Sequence, residues 1–305
     1  METGHLCTPV ARRVQPVGAG PAVGAGPTFR IQDLPPFPAI AVRLLGLLAQ
    51  PEVGMKALSD LVTTDAAMAT EVLRMANSIE WGLRSEVTSL LHALALLGVD
   101  RVKGLAFTVA IRSYLSRALH YPSLRACWRH NLACALMCDE LSKQLHFDQP
   151  QAYTAGLLHD IGRLALCAAF TEKCARLFED TDLDHSNPLE IEQKEFGIDH
   201  CALGLCLARK WSLPVIFHAP IAEHHDEAIL NGGAGRFSLK ALVHLSCLLS
   251  GHLGFASTPH HPPADPAKII ESLPEYELGR LLCDWQEMQF RIALRVNALD
   301  PGFPS

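Results

Sequence analysis

An all-α fold is what this sequence predicts, on three observations. Apolar residues recur at three- and four-residue spacing along most of the chain. Ser, Thr, Asp or Pro stands just ahead of most of these runs, where a helix begins. No alternating apolar–polar stretch of strand length interrupts them.

Residues 1–28 are rich in Gly, Ala, Pro and Val, repeat Val-Gly-Ala-Gly-Pro and carry no periodicity, so they read as a disordered tail. Order is expected from Phe29, through the rigid Leu34-Pro35-Pro36-Phe37-Pro38. Ile40, Leu44, Leu45 and Leu48 then mark a helix that stops at Gln50-Pro51. A second helix covers 55–62, and Thr63-Thr64-Asp65 caps a third that carries Met68, Val72, Leu73 and Met75 and ends at Asn77-Ser78. Residues 79–85 read as a loop. Thr88-Ser89 caps a helix closed by Gly98, and Asp100 opens another to about Leu119.

Tyr121-Pro122-Ser123 is the clearest internal break. It divides an N-terminal helical lobe, 29–120, from a second lobe, 123–256. The second lobe is expected to hold helices at 124–146, 150–170, 171–180, 188–196 and 199–211, another after Leu213-Pro214, a flexible 231–235 loop, and a helix over 238–251. A Pro-rich loop follows at 257–266. From Pro274 an amphipathic helix runs to about Ala298, with Leu278, Leu281, Leu282, Trp285, Met288 and Ile292 on the face packed against the domain.

The chain of 305 residues, 49% hydrophobic and 19% charged, can bury a substantial core. A net charge of -6 with no Lys/Arg run argues against a nucleic-acid surface. No apolar run is long enough to cross a bilayer, and no hydrophobic segment follows Arg12-Arg13 as in a secretory leader. Of ten cysteines, Cys134, Cys138, Cys167 and Cys206 sit in helical apolar patterns, as reduced, buried thiols of a cytoplasmic protein would.

Chemistry concentrates in Gly156 to Leu166, where His159-Asp160 interrupts an apolar run. Neighbouring helix positions point about 100° apart, so on a helix the pair cannot both share the leucine face. Burying both is costly unless a metal or a hydrogen-bond network satisfies them. His130, His200 and His224-His225 lie on other expected helices, where a bundle brings imidazoles and carboxylates together around Fe, Mn or Zn. The bland alternatives are a structural His200 and a solvent-facing His224-His225 at a helix end. His260-His261 has no assigned role.

The order His130, His159-Asp160, His200, His224-His225 resembles the HD superfamily of metal-dependent phosphohydrolases. The resemblance to its HDOD branch is closer. It is carried by Leu34 to Ala39, Asp65, Leu73 to Ser78, Leu96 to Val102, Gly156 to Gly162, Gly197 to Gly204, Trp211 to Pro214 and His224-His225. It implies a bacterial-type signalling module that acts on signalling proteins, with His130, His159, Asp160, His200, His224 and His225 as candidate ligands. A phosphohydrolase and a nucleotide or metal sensor are the alternatives. Two departures bear on chemistry. Cys247 stands where the superfamily closes its site with Asp, so a thiolate would have to replace a carboxylate. Ala126, and Asp226 to Leu230, stand where related cyclic-di-GMP phosphodiesterases carry a Glu and a Gly-Tyr-Pro motif. With no receiver, kinase or cyclase segment recognisable, input is expected from a separate chain or a small molecule.

Overall fold

A helix buried on every side is one that other helices surround, and α6 (Pro122–Leu145) is that helix here. Pro122 occupies its first turn, where the missing N–H costs nothing, so the expected break is also the helix start. Its middle, from Cys127 to Cys138, is almost wholly buried, and α7 (Gln149–Leu158), α9 (Thr171–Glu179), α13 (Leu239–His252) and α14 (Trp285–Leu299) pack along it. The computed structural model describes residues 34–48, 54–77, 86–180, 187–226, 238–257 and 285–300, and these contain helices and no strand. The expected tail, the 79–85 and 231–235 loops, most of the Pro-rich loop, and the Leu278, Leu281 and Leu282 part of the last stripe lie outside the described residues. No helix among the described residues is long and apolar enough to cross a membrane.

Ahead of α6 lie α1 (Ala39–Leu48), α2 (Met55–Thr63), α3 (Ala66–Ala76), α4 (Leu90–Leu97) and α5 (Val99–Tyr114). Their starts follow the caps: the Asp65 carboxylate accepts from the Met68 N–H at 3.0 Å, and the Ser89 hydroxyl from the His92 N–H at 3.1 Å. Gly98, at φ 85°, turns the chain from α4 into α5. Asn77 does more than end α3. Its amide donates to Leu73 O and Val87 O and accepts from Val87 N at 2.7 Å, tying the two sides of the undescribed segment together.

The remaining helices are α8 (Ile161–Ala169), α10 (Pro188–Phe196), α11 (His200–Lys210) and α12 (His218–Glu223), with α8 packed on α11 and α11 on α12. Two stretches distant in sequence meet here. Phe37 stacks on Trp211 at 4.3 Å and meets Tyr114 edge-on at 5.0 Å, joining the chain ahead of α1 to the ends of α5 and α11.

Three expectations need correction. The helix expected to run to about Leu119 ends at Tyr114, and a separate single turn follows at Ala118–His120. The helix expected over 150–170 is two, α7 and α8, broken at His159-Asp160. Cys134, Cys138 and Cys167 are free and buried, but Cys206 is half-buried and disulfide-bonded.

Candidate metal centre

The break between α7 and α8 resolves the conflict in the sequence. His159 ends α7, and Asp160 adopts φ -100°, ψ 20°, outside the helical basin. An unbroken helix would splay these side chains; the break lets both face one cluster. Gly162 permits it. A Cβ there would lie 2.0 Å from His200 O, so only glycine brings α8 this close to the start of α11. Asp199 caps α11 by accepting from Ala202 N at 2.8 Å, which places His200 in the first turn facing Asp160.

Four imidazoles are held in one way. His130 Nδ1 donates to Phe255 O at 2.6 Å, His159 Nδ1 to Gly156 O at 2.6 Å, and His224 Nδ1 to Pro220 O and Ile221 O at 3.2 Å. His200 Nδ1 donates to Glu192 Oε2 at 2.5 Å. Each anchor fixes the ring orientation and leaves Nε2 as the atom that faces inward, as the outer hydrogen bond of a metal-binding histidine does. His200 Nε2 lies 3.1 Å from Asp160 Oδ1, 3.4 Å from His224 Nε2 and 3.1 Å from His225 Nε2, and His224 Nε2 lies 3.3 Å from the same carboxylate oxygen. Donor atoms around a zinc-sized ion at about 2.0–2.1 Å stand roughly 3.3 Å apart, so these separations suit one.

The fit shows again in what is left over. His159 Nε2 and Asp160 Oδ1 are buried with no hydrogen-bond partner, although Oδ1 has two imidazole nitrogens within 3.3 Å. Orphaned buried polar atoms are rare, and two side by side match a cation-binding donor set. On the other flank, Cys247 Sγ, from α13, lies 3.4 Å from His130 Nε2, and with His159 these form a nitrogen–nitrogen–sulfur group. His224 departs from the solvent-facing alternative: it is 1% exposed, at the end of α12, and its carbonyl accepts from His244 Nδ1 of α13. His225 is half-buried.

Charges the sequence reasoning passed over complete the cluster. Arg163 donates to Asp160 Oδ2 at 2.7 Å and to Glu192 Oε1 at 3.0 Å, and all three side chains are buried. Burial raises the Asp160 pKa, but Arg163, with His200 and His159, carries it well below the usual range. Burial likewise opposes the Glu192 carboxylate, and His200 and Arg163 outweigh it, taking its pKa to about 2. Burial drives His159 and His130 downward, leaving them neutral. Against burial, Cys201 and Asp160 hold His224 up to about 9, and His200 and His224 in turn draw the Cys201 thiol down to about 6. An arginine inside the apolar run Ile161 to Leu166 was the visible sign of Arg163. Glu192, one of several glutamates in an ordinary polar helix, gave none.

An all-α bundle that gathers a His-Asp pair and further imidazoles from separate helices defines a histidine–aspartate domain with a cluster able to hold a metal ion. The chain belongs to the HDOD family, whose domain profile matches residues 34–227. An HDOD domain protein of unknown function from Geobacter sulfurreducens has the same fold, with TM-score 0.69 and 22% identity, covering 88% of this chain and 94% of that one. So does a Shewanella amazonensis protein provisionally named a phosphohydrolase, with TM-score 0.66 and 20% identity, covering 88% and 96%. At these identities the likeness speaks to the fold. An uncharacterized protein of Treponema pallidum is 23% identical over 200 residues, 65% of this chain. The chain spans 38% of that curated relative's length.

Proposed function

We propose that this chain is a signal-transduction regulatory module whose histidine–aspartate centre holds a divalent cation as a structural or sensory element, and that it acts through contacts with signalling proteins. The observation that carries this is the convergence of the Nδ1-anchored His159, His200 and His224 on Asp160, whose Oδ1 has two imidazole nitrogens within 3.3 Å. Sealing favours regulation over turnover. His159 and His200 are 0% exposed, Asp160 and His224 1%, and His130 2%; closed donor sets are typical of structural metal sites, whereas catalytic ones keep a position open. An outlet for a signal adjoins the centre. Val215 and Ile216 are 79% and 46% exposed in the turn that runs directly into α12, which ends at His224. Ligation at one end of that helix and docking at the other would share one short element.

Metal content tests the proposal. Protein purified without chelator or affinity metal is expected to carry Fe, Mn or Zn, to lose it in the His159→Ala, Asp160→Ala double variant, and to melt at lower temperature after chelation. Wild type that is metal-free, folded and indifferent to added metal would refute it. A second function, phosphoester hydrolysis, is favoured by the half-buried Cys247 and His225 at the edge of the cluster and by the name given to the Shewanella neighbour. A bound metal ion would supply a hydroxide nucleophile there. Turnover of a generic phosphodiester by wild type and none by the double variant would favour this reading over a purely regulatory one.

A further inference from the structure

We infer that Arg163 takes the place of a second metal ion, so that the centre holds a single divalent cation on Asp160 Oδ1. This deepens the metal-binding function proposed above and rests on it.

The two oxygens of Asp160 face different company. Oδ2 accepts from Arg163 Nη1 at 2.7 Å, and the same guanidinium donates through Nε to Glu192 Oε1 at 3.0 Å while Nη2 lies 3.0 Å from His200 Nδ1. Arg163 is therefore held by two carboxylates, and it is 1% exposed. A guanidinium does not deprotonate in a protein, so it cannot yield its place to an ion as an imidazolium can. Oδ1 is the opposite case. It has no hydrogen-bond partner, stands 3.1 Å from His200 Nε2 and 3.3 Å from His224 Nε2, and groups with His159 as a donor set. An ion at Oδ1 meets imidazole nitrogens that can give up their protons to it, although Arg163 Nη2 stands 3.3 Å from His200 Nε2. At Oδ2 it meets a fixed positive charge.

Charge points the same way. With the imidazoles neutral, as ligands must be, the buried carboxylates of Asp160 and Glu192 face one guanidinium, which leaves little negative charge for divalent cations. A second divalent ion would leave several uncompensated positive charges out of water. Of the neighbouring donor groups, His130, His159 and Cys247 have no carboxylate oxygen free to join them, because Oδ2 is taken, and His200, Cys201, His224 and His225 share His200 and His224 with the Oδ1 site. The same residue that satisfies Asp160 thus sets the stoichiometry.

Metal-free full-length protein, titrated with Zn2+ or Mn2+ in equilibrium dialysis with metal counted by mass spectrometry, tests this. Wild type is expected to take up one tight equivalent, Arg163→Lys one, and Arg163→Gln, which removes the charge, two. Two tight equivalents in wild type would overturn the inference and leave metal binding intact. A folded Arg163→Gln protein still limited to one would overturn it as well. If Arg163→Gln does not fold, Asp160→Asn and Cys247→Ala decide: the equivalent should be lost in the first and kept in the second, and the reverse pattern overturns the assignment. No uptake by wild type refutes the metal-binding function, and the inference falls with it.

Discussion

A proton and a metal ion compete for His224, and that competition has a direction. In the metal-free protein its pKa is raised to about 9, so the imidazolium contributes stability below the ordinary value near 6.5 and loses it as pH rises through about 9. Metal uptake near neutral pH must expel that proton. Calorimetry of zinc binding at pH 7.5, in two buffers of different ionisation heat, is expected to show at least one proton released, and affinity should climb with pH until about 9. Proton-neutral binding would contradict this. Glu192 behaves in the opposite sense. With its pKa lowered to about 2, it contributes stability that is complete above about 4.5 and disappears as pH falls through about 2. Glu192→Gln in the chelated protein should cost about 3 kcal/mol at pH 7, because half of the charge pairing of a buried arginine goes with it. The gap from wild type should narrow by pH 3, as urea unfolding at the two pH values would show.

At the scale of the helices, two glycines on facing surfaces of α8 and α11 make unequal predictions. A Cβ on Gly162 would strike backbone, His200 O at 2.0 Å and Gly204 N at 2.6 Å. A Cβ on Gly204 first meets Ile221 Cγ2 at 2.7 Å, a side chain able to rotate away. Gly162→Ala is therefore expected to cost about 3 kcal/mol or more and to disturb metal uptake, and Gly204→Ala distinctly less. Equal losses in thermal melts of the two variants would count against a backbone-limited contact. This scale also shows what the sequence could and could not disclose. Caps such as Asp65, Ser89 and Asp199 are short-range signals, and the helices begin where they stand. The break at His159-Asp160 was hidden because α7 and α8 are both apolar and neither Gly nor Pro separates them there. Its cause is a tertiary one, two side chains drawn to the same cluster. The histidines were legible as a set because spaced polar residues in apolar runs demand a reason. Arg163 and Glu192 were not paired in advance, since only the fold carries α10 to α8.

Across the whole molecule, α13 and α14 lie past the matched stretch 34–227, yet they close the structure. α13 supplies Cys247, and the residues after it supply the carbonyl of Phe255 that anchors His130. α14 buries Met288, Ile292, Val296 and Leu299, and its Arg295 donates to Glu140 at 2.8 Å and to Asp139 at 3.3 Å on α6. Asp300, 3% exposed, accepts from Arg125 Nε at 2.8 Å and lies 3.9 Å from Arg112 Nε, while Arg74 of α3 donates to Ala298 O at 3.1 Å. The end of α14 thus joins helices from both sides of the Tyr121-Pro122 break. Ile292→Ala should cost about 3 kcal/mol through the cavity it leaves, and Asp300→Ala about 2 kcal/mol through its stranded arginines. Chemical denaturation that showed both variants as stable as wild type would mean α14 is an appendage.

The arginines at positions 74, 112 and 125 emerge from the ribosome long before Asp300 and Ala298 do. During synthesis they have no C-terminal acceptors, and the apolar face of α6 that α14 covers stands open to water. A nascent chain shorter than residue 285 would therefore carry an uncovered greasy seam, the kind of surface chaperones hold and proteases find. The late arrival of α14 makes its docking a late step in the folding of this molecule.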